Sequence, residues 1–310
     1  MKITLIHNPG AGDGKSSKAL VDLIQEAGHE VLHRSTKQDW RVLLKEPADL
    51  VVAAGGDGTV RRVALAAAEH GLPFAAYPIG TANNIAKTVG LLGDADELID
   101  SWSASPRCQQ PFDLGEAIAP WGQERFVEGV GGGLVADLIA REDEIASDPT
   151  LLGRETDRAL HLLGELVRDA RLRRWQVLAD GQDLSGDYFA LEVLNIRFVG
   201  PNLPLAPDAY PGDGLLDLVL LGNDDRESLR TYLETRLHLA SGQLPELRVM
   251  RAKEVEIVTP GDVRWHLDDQ SWPSKDPLPE SASVTVRCLA GAVSFVSSPH
   301  AQRVEVDDKH

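Results

Sequence analysis

Three short stretches near the start of the chain combine glycine with amide, hydroxyl, carboxylate or amine side chains. They are Asn8-Pro9-Gly10-Ala11-Gly12-Asp13-Gly14-Lys15-Ser16, Gly55-Gly56-Asp57-Gly58-Thr59 and Gly80-Thr81-Ala82-Asn83-Asn84. Glycine lets a backbone come close to a ligand. The N–H groups of such a turn, with the start of a following helix, favour an anion such as phosphate. Asp57 in this setting suits contact through a metal or a ribose better than direct contact with phosphate. The first stretch nearly fits two phosphate-loop patterns and satisfies neither. A P-loop needs glycine where Pro9 stands, and the dinucleotide fingerprint needs it at Lys15. Lys15 is therefore either a phosphate contact or a solvated charge at a helix start.

Stepping outward from those turns, each follows a strand and precedes a helix. Lys2 to His7 is apolar and short, and Ser17 to Ala27 after it is amphipathic. Leu50 to Ala54 is a buried-strand run, followed by a helical stretch from Val60 to Glu69. Pro73 to Pro78 precedes an Ala/Leu-rich helix to about Leu92. His29 to Ser35 is a further strand, with Thr36 at its end either near a nucleotide or capping a helix ahead of Asp39. Alternating strands and helices predict a parallel sheet, whose strand C-termini collect all three turns on one edge. Any one glycine turn is ordinary loop punctuation; three that share an edge predict a nucleotide site.

From Ser101 the pattern changes. Phe112 to Ala119, Glu124 to Val130, Arg174 to Leu178, Tyr188 to Asn195, Leu215 to Leu221, Glu254 to Thr259, Val263 to Leu267, Ser283 to Cys288 and Val293 to Val296 are short strand-like runs. They predict an antiparallel sandwich or barrel. The expected organisation is a first domain over 1–105, completed by 289–302, a β-rich domain over 106–288, and a frayed tail over 303–310. Two helices interrupt the β-rich part, Leu151 to Arg173 and Arg226 to Leu239. The first carries Arg154, Arg158, Arg168, Arg171 and Arg173, which suits either a membrane interface or a core-covering helix with solvated arginines.

The chain has 310 residues and a net charge of −17, with a pI near 4.9. That balance disfavours nucleic acid, which needs a basic face, and disfavours broad attraction to anionic membrane. No run approaches a membrane span, the N-terminus lacks a signal-type apolar region, and Cys108 and Cys288 show no metal spacing. The expectation is a cytoplasmic protein with free thiols.

The glycine turns, taken with Ala206-Pro207, Asp213-Gly214-Leu215-Leu216-Asp217 and Leu267-Asp268-Asp269-Gln270, resemble the diacylglycerol kinase catalytic-domain family over nearly the whole chain. That group includes bacterial soluble lipid kinases and the sphingosine and ceramide kinases. The Gly-Gly-Asp-Gly-Thr element is shared with NAD kinases; Gly-Thr-Ala-Asn and Asp-Gly-Leu-Leu-Asp are more specific to lipid kinases. The resemblance implies a three-layer α/β nucleotide domain followed by a β-sandwich, with ATP and Mg²⁺ as cofactors. It implies that Asn8, Lys15, Thr36, Gly55, Gly56, Asp57, Gly58, Thr59, Gly80, Thr81 and Asn83 serve the nucleotide. Asp217, with Asp213, matches a Mg²⁺ position.

Asp268 stands where the family has its proton acceptor, a role for which a carboxylate is suited. The family's Asp-Gly-Glu is Asp268-Asp269-Gln270 here, so Asp269 is a rival. Asp137 resembles the carboxylate near the lipid head group in sphingosine and ceramide kinases, or is a surface charge. The implied activity is transfer of the γ-phosphate of ATP to diacylglycerol or a related lipid, met transiently at a membrane surface by a protein with no transmembrane segment. The reading leaves room for a homodimer. A kinase of another acceptor such as NAD, and a non-catalytic nucleotide-binding regulator, are the alternatives.

Overall fold

A computed structural model describes residues 1–12, 17–91, 93–103, 109–145, 155–238, 245–274 and 281–296. Lys15, Cys108, Arg154 and the tail 303–310 lie outside the described residues. The chain divides into two compact units. One comprises residues 1–114, 210–214 and the stretch from Leu289; the other comprises 115–209 and 215–288.

In the first unit the order is β1 (Lys2–His7), α1 (Ser17–Glu26), β2 (Glu30–Ser35), β3 (Leu50–Gly55), α2 (Asp57–His70), β4 (Phe74–Pro78), α3 (Asn84–Thr88) and α4 (Ala95–Ser103). The four strands form a parallel sheet ordered β2-β1-β3-β4. Every residue of β3 is buried, as expected of a parallel strand covered on both faces. Helix α2 buries Val60, Val63, Ala64 and Ala67 at helical spacing and ends at the left-handed Gly71 (φ 63°), a glycine stop. It starts at Asp57, three residues earlier than expected. The N–H groups of Thr59 and Val60 already bond the Gly56 carbonyl, so the glycine turn is the helix's first turn. The expected helix to Leu92 is the five-residue α3. Gly90 (φ 72°) breaks it, and α4 follows once Asp94 Oδ1 accepts the Glu97 N–H at 3.0 Å.

Strand β5 (Gln109–Ala119) begins in the first unit and ends in the second. The second unit continues with β6 (Gly122–Phe126), β7 (Gly129–Gly132), α5 (Leu134–Ile145), α6 (Glu155–Asp169), β8 (Arg173–Ala179), β9 (Gln182–Asp183), β10 (Gly186–Tyr188), β11 (Ala190–Leu194) and β12 (Leu216–Leu221). Then come α7 (Asp225–His238), β13 (Val249–Ala252), β14 (Glu254–Pro260), β15 (Trp265–Leu267), β16 (Gln270–Ser271) and β17 (Ser281–Val296). One antiparallel sheet runs β13-β12-β11-β7-β15-β16, and β10, β8, β14 and the first half of β17 form the other. Val177, Val255, Ile257, Val284 and Val286 from one sheet and Val130, Leu191, Val193, Leu218, Trp265 and Leu267 from the other belong to one core. The outer face of the β11-containing sheet is covered by α5, α6 and α7, with Leu138, Leu163 and Leu229 clustered with Leu194, Val219 and Leu221.

Several expected strands divide or merge. Glu124 to Val130 becomes β6 and β7, and Tyr188 to Asn195 becomes β10 and β11. The two last runs fuse into the 16-residue β17. That strand passes Gly291 unbroken: the glycine takes φ 58° and donates its N–H to Asp113 Oδ1 at 2.6 Å. The end of β17 lies parallel beside β4, with Phe295 opposite Phe74. Phe74, Phe112 and Phe295 pack together with ring centroids 5.0, 5.5 and 5.9 Å apart.

Helix α6 ends at Asp169, before the expected Arg173, and covers the core with Leu160, Leu163 and Val167. Three arginines of this stretch have local carboxylates: Arg168 with Asp169 at 2.9 Å, Arg173 with Asp262 at 2.8 Å, and Arg174 with Asp187 at 3.8 Å. Among the described residues no helix is long and apolar enough to cross a membrane.

Candidate functional site

In the first unit the parallel registers bring the C-terminal ends of β1, β3 and β4 together, and the three glycine turns touch. A Cβ on Gly80 would collide with the backbone of Gly56, and one on Gly56 would meet the Gly80 Cα at 3.2 Å. Gly12, at φ 69°, would direct a Cβ to within 2.8 Å of the Ile79 carbonyl oxygen. The Ile79 N–H donates to Gly55 O at 3.1 Å and the Asn8 N–H to Ala54 O at 2.8 Å. Glycine is thus required here for backbone-to-backbone approach, which leaves the N-terminus of α2 facing the shared edge.

The side chains at these turns differ in their roles. Asn8 Oδ1 accepts the Gly10 N–H at 3.0 Å and lies 3.5 Å from Thr36 Oγ1. The Thr36 N–H donates to His7 O at 2.8 Å, so Thr36 closes the end of β2 and caps no helix. Thr59 is buried, its side chain against Gly55, where a Cβ would meet it at 2.5 Å. Thr81 is exposed at the turn. Asn83 (φ 51°) is spent on the turn itself: its Oδ1 accepts the Gly80 N–H at 3.0 Å and its Nδ2 donates to Gly80 O at 2.8 Å. Asp57 Oδ1 accepts the Ile85 N–H at 3.0 Å and so ties α2 to α3. Burial pushes the Asp57 carboxyl above its ordinary range, against the opposing pull of the Ile85 and Asn84 N–H groups and the Lys87 charge.

In the second unit β15 pairs antiparallel with β7, Leu267 opposite Val130, and the next residue, Asp268, donates its N–H to Gly129 O at 2.7 Å. Asp268 and Asp269 form a two-residue turn into β16, with Leu267 opposite Gln270. Asp268 takes the left-handed conformation (φ 53°), which aspartate tolerates better than most residues. Asp269, standing where the family pattern has glycine, has no positive φ, so that substitution costs no backbone strain.

Asp268 is buried. Its Oδ1 accepts the N–H groups of Glu128 at 2.7 Å and Gly129 at 3.1 Å, and both carboxylate oxygens share the Val127 N–H at 3.2 Å. Those bonds hold the chain in a turn between β6 and β7 and explain why the expected strand Glu124 to Val130 is split. Asp269 is exposed.

Asp137 lies in the first turn of α5 and pairs with Arg264 at 3.2 Å. Asp217 is buried on β12, opposite Leu194 and Arg251, whereas Asp213 is exposed in the turn 210–214. Among the described residues no group of three or more His, Cys, Asp or Glu side chains could hold a metal ion.

Three residues stand out that the motif spacing did not mark. Asp113 is buried and accepts the N–H groups of Gly214 at 2.7 Å and Gly291 at 2.6 Å. Glu192 and His266 form a buried pair at 2.7 Å. Burial alone would lower the His266 pKa; the Glu192 carboxylate beside it prevails, and the ring is held above its ordinary value. The sequence signals were a Glu inside the apolar run ALEVL and a His inside VRWHL, each a polar residue where a buried strand position is expected.

Residues 2–117 match the family model described as the diacylglycerol kinase catalytic domain, and residues 140–293 match the YegS C-terminal NAD kinase beta sandwich-like domain. A diacylglycerol kinase of Bacillus subtilis (strain 168) is 30% identical over 234 residues, which cover 70% of this chain and 72% of that protein. The chain belongs to the diacylglycerol kinase catalytic-domain family. A second family relative, a diacylglycerol kinase of Mycobacterium tuberculosis (strain CDC 1551 / Oshkosh), is 27% identical over 283 residues, covering 84% of this chain and 86% of that one. The crystal structure of a diacylglycerol kinase from Bacillus anthracis str. Sterne superposes with a TM-score of 0.71 over 97% of this chain and 98% of its own, at 21% identity, a likeness of fold. The expected fold class, an α/β domain followed by a β-sandwich, is the one found.

Proposed function

We propose that this chain is a lipid kinase that transfers the γ-phosphate of ATP to a hydroxyl of diacylglycerol or a closely related lipid. The observation that carries the reading is the contact of three glycine turns at one sheet edge, two of them so close that a Cβ on Gly80 has no room, in a chain of the diacylglycerol kinase family. Backbone N–H groups of Gly55 to Thr59 and the start of α2 would offset phosphate charge, with Asn8 and Thr36 shaping the rim and Thr81 reaching outward. Mg²⁺ would come with the nucleotide, since Mg²⁺ commonly keeps its waters and binds through substrate phosphates.

Asp268 is proposed as the acceptor of the lipid hydroxyl proton: its carboxylate is fixed by three backbone N–H donors, which supplies the orientation a general base needs. The same bonds favour a second reading for that step, with exposed Asp269 as the acceptor and Asp268 as its brace. Asp137, half-exposed beside Arg264, is proposed to face the lipid head group. Leu172, exposed between Arg171 and Arg173 after α6, suits brief contact with a membrane surface by a protein working in the cytoplasm.

The test is transfer of labelled γ-phosphate to diacylglycerol, ceramide, a sphingoid base, undecaprenol and NAD, with Asp268→Ala and Asp269→Ala alongside. Label in diacylglycerol, lost about 100-fold or more in Asp268→Ala, is the expected result. Label in NAD alone would end the lipid reading, loss confined to Asp269→Ala would exchange the two aspartates, and bound ATP with no transfer would indicate a regulator.

A further inference from the structure

Glu192 of β11 lies across from Gly131 of β7, and Gly131 lies across from His266 of β15. Both ionisable side chains are wholly buried on the sheet face opposite Val130, Val193 and Leu267, the face that the helices cover. His266 Nδ1 is 2.9 Å from the carbonyl oxygen of Asp268, and its Nε2 is 2.7 Å from Glu192 Oε2. A carbonyl only accepts, so Nδ1 carries a hydrogen. The Nε2 contact needs a hydrogen as well, supplied by an imidazolium or by a protonated carboxyl. The pair therefore holds one proton more than a carboxylate beside a neutral ring, and that proton belongs to both. Glycine at 131 makes the arrangement possible, because a Cβ there would collide with the Glu192 carboxylate. Glu192 Oε1 has no hydrogen-bond partner among the described residues, which leaves His266 as the group that offsets the buried charge.

We propose that Glu192 and His266 are positioning residues for Asp268: their shared proton keeps the ring bonded at both nitrogens, and the ring anchors the Asp268 backbone so that its carboxylate stays on the 127–129 turn. This rests on the reading of Asp268 as proton acceptor. Loss of the shared proton sets two acceptors against each other at Nε2 and releases the anchor. Among the described residues the groups around the pair are few. Beta strand β7 contributes only glycine and valine, and β16 contributes Gln270 and Ser271. Helix α5, packed on β15, offers Asp137, already paired with Arg264, and Arg141, exposed. Among the described residues, Glu128 and Asp268 at the turn, Asp217 on β12 and Arg197 just after β11 are the remaining buried charges of this unit.

The experiment follows kcat and KM for ATP with the accepting lipid, from pH 6 to 10, in the full chain and in Glu192→Gln, His266→Gln and Asp268→Asn, with thermal melts to establish folding. In the wild type kcat is expected to fall on the alkaline side. A Gln at 192 can donate to the neutral ring without a shared proton, so Glu192→Gln is expected to keep its kcat at pH 7 and lose the alkaline fall. His266→Gln is expected to lose about 10- to 100-fold in kcat, as supporting residues do, with KM for ATP unchanged. A flat wild-type profile, a Glu192→Gln profile identical to wild type, a folded Glu192→Gln inactive at pH 7, or a folded His266→Gln with full kcat would each overturn the proposal. If His266→Gln does not fold, Glu192→Gln decides alone. Full activity in Asp268→Asn would instead remove the reading beneath it.

Discussion

Asp57, the carboxylate of the second glycine turn, ties α2 to α3. Its Oδ1 holds the Ile85 N–H at 3.0 Å, so Asp57→Ala would leave the N–H of a buried residue unmatched at a cost of about 1–3 kcal/mol. Asp57→Asn keeps an oxygen acceptor in place and is expected to stay within about 1 kcal/mol of wild type at pH 7. The pH dependence distinguishes charge from hydrogen bond. Burial raises this carboxyl above its ordinary 3.8, so the folded state favours the protonated form. The group's contribution to stability falls as pH rises from that value through the folded one. Urea denaturation at pH 4 and pH 7 should show the Asn variant gaining on the wild type as pH rises; an equal difference at both would contradict the assignment.

Among the elements, Arg226 at the start of α7 is the clearest joint. Its guanidinium donates to the carbonyls of Val167, Arg168 and Ala170, the end of α6, and lies 4.9 Å over the Phe189 ring. It satisfies carbonyls that a helix end leaves open and opposes the helix dipole there. Arg226→Ala should lower stability by about 1–3 kcal/mol, read by thermal or urea denaturation, and Arg226→Lys should recover only part because a compact ammonium lacks the planar fork that spans these carbonyls and stacks on Phe189. Elements of this kind were legible in sequence where local pattern settled them: β1, β3 and β4 follow from apolar runs ended by asparagine, glycine or proline, and β2 from the glycine stop at Gly28 before it. The sequence did not reveal boundaries set by distant partners. Strand β7 separates from β6 because Asp268, 139 to 141 residues later, collects the N–H groups of 127–129. Strand β17 runs through Gly291 because Asp113, 178 residues earlier, receives its N–H. Helix α5 follows the glycines 131 to 133, and α4 lies behind the break at Gly90. In the site, turn positions were readable from glycine spacing, whereas the inward use of Asn83 and the Glu192–His266 pair depend on three-dimensional neighbours.

Across the whole molecule the two units carry histidines of opposite sign. Burial lowers His7, His29 and His33 in the first unit, with His33 also acting on His7 and the N-terminal amine on His29. Such groups lend stability above pH 6.5 that is lost as pH falls through their folded values. His266 in the second unit is raised, so its contribution is complete below pH 6.5 and is lost as pH rises through its folded value. Amide exchange corrected for intrinsic rates should show protection of β1 and β2 falling between pH 7 and 5, and that of β7 and β15 falling between pH 7 and 9. Loss in β1 and β2 at pH 9 but not at pH 5 would refute it. Strand β17 carries a consequence for the order of events during synthesis. Its first half pairs with β14 and its end lies beside β4, so a ribosome that has released residues 1–280 has released neither unit whole. The nascent β4 must wait with its outer edge unpaired while more than 200 residues are made, a period in which a chaperone would find its longest opportunity.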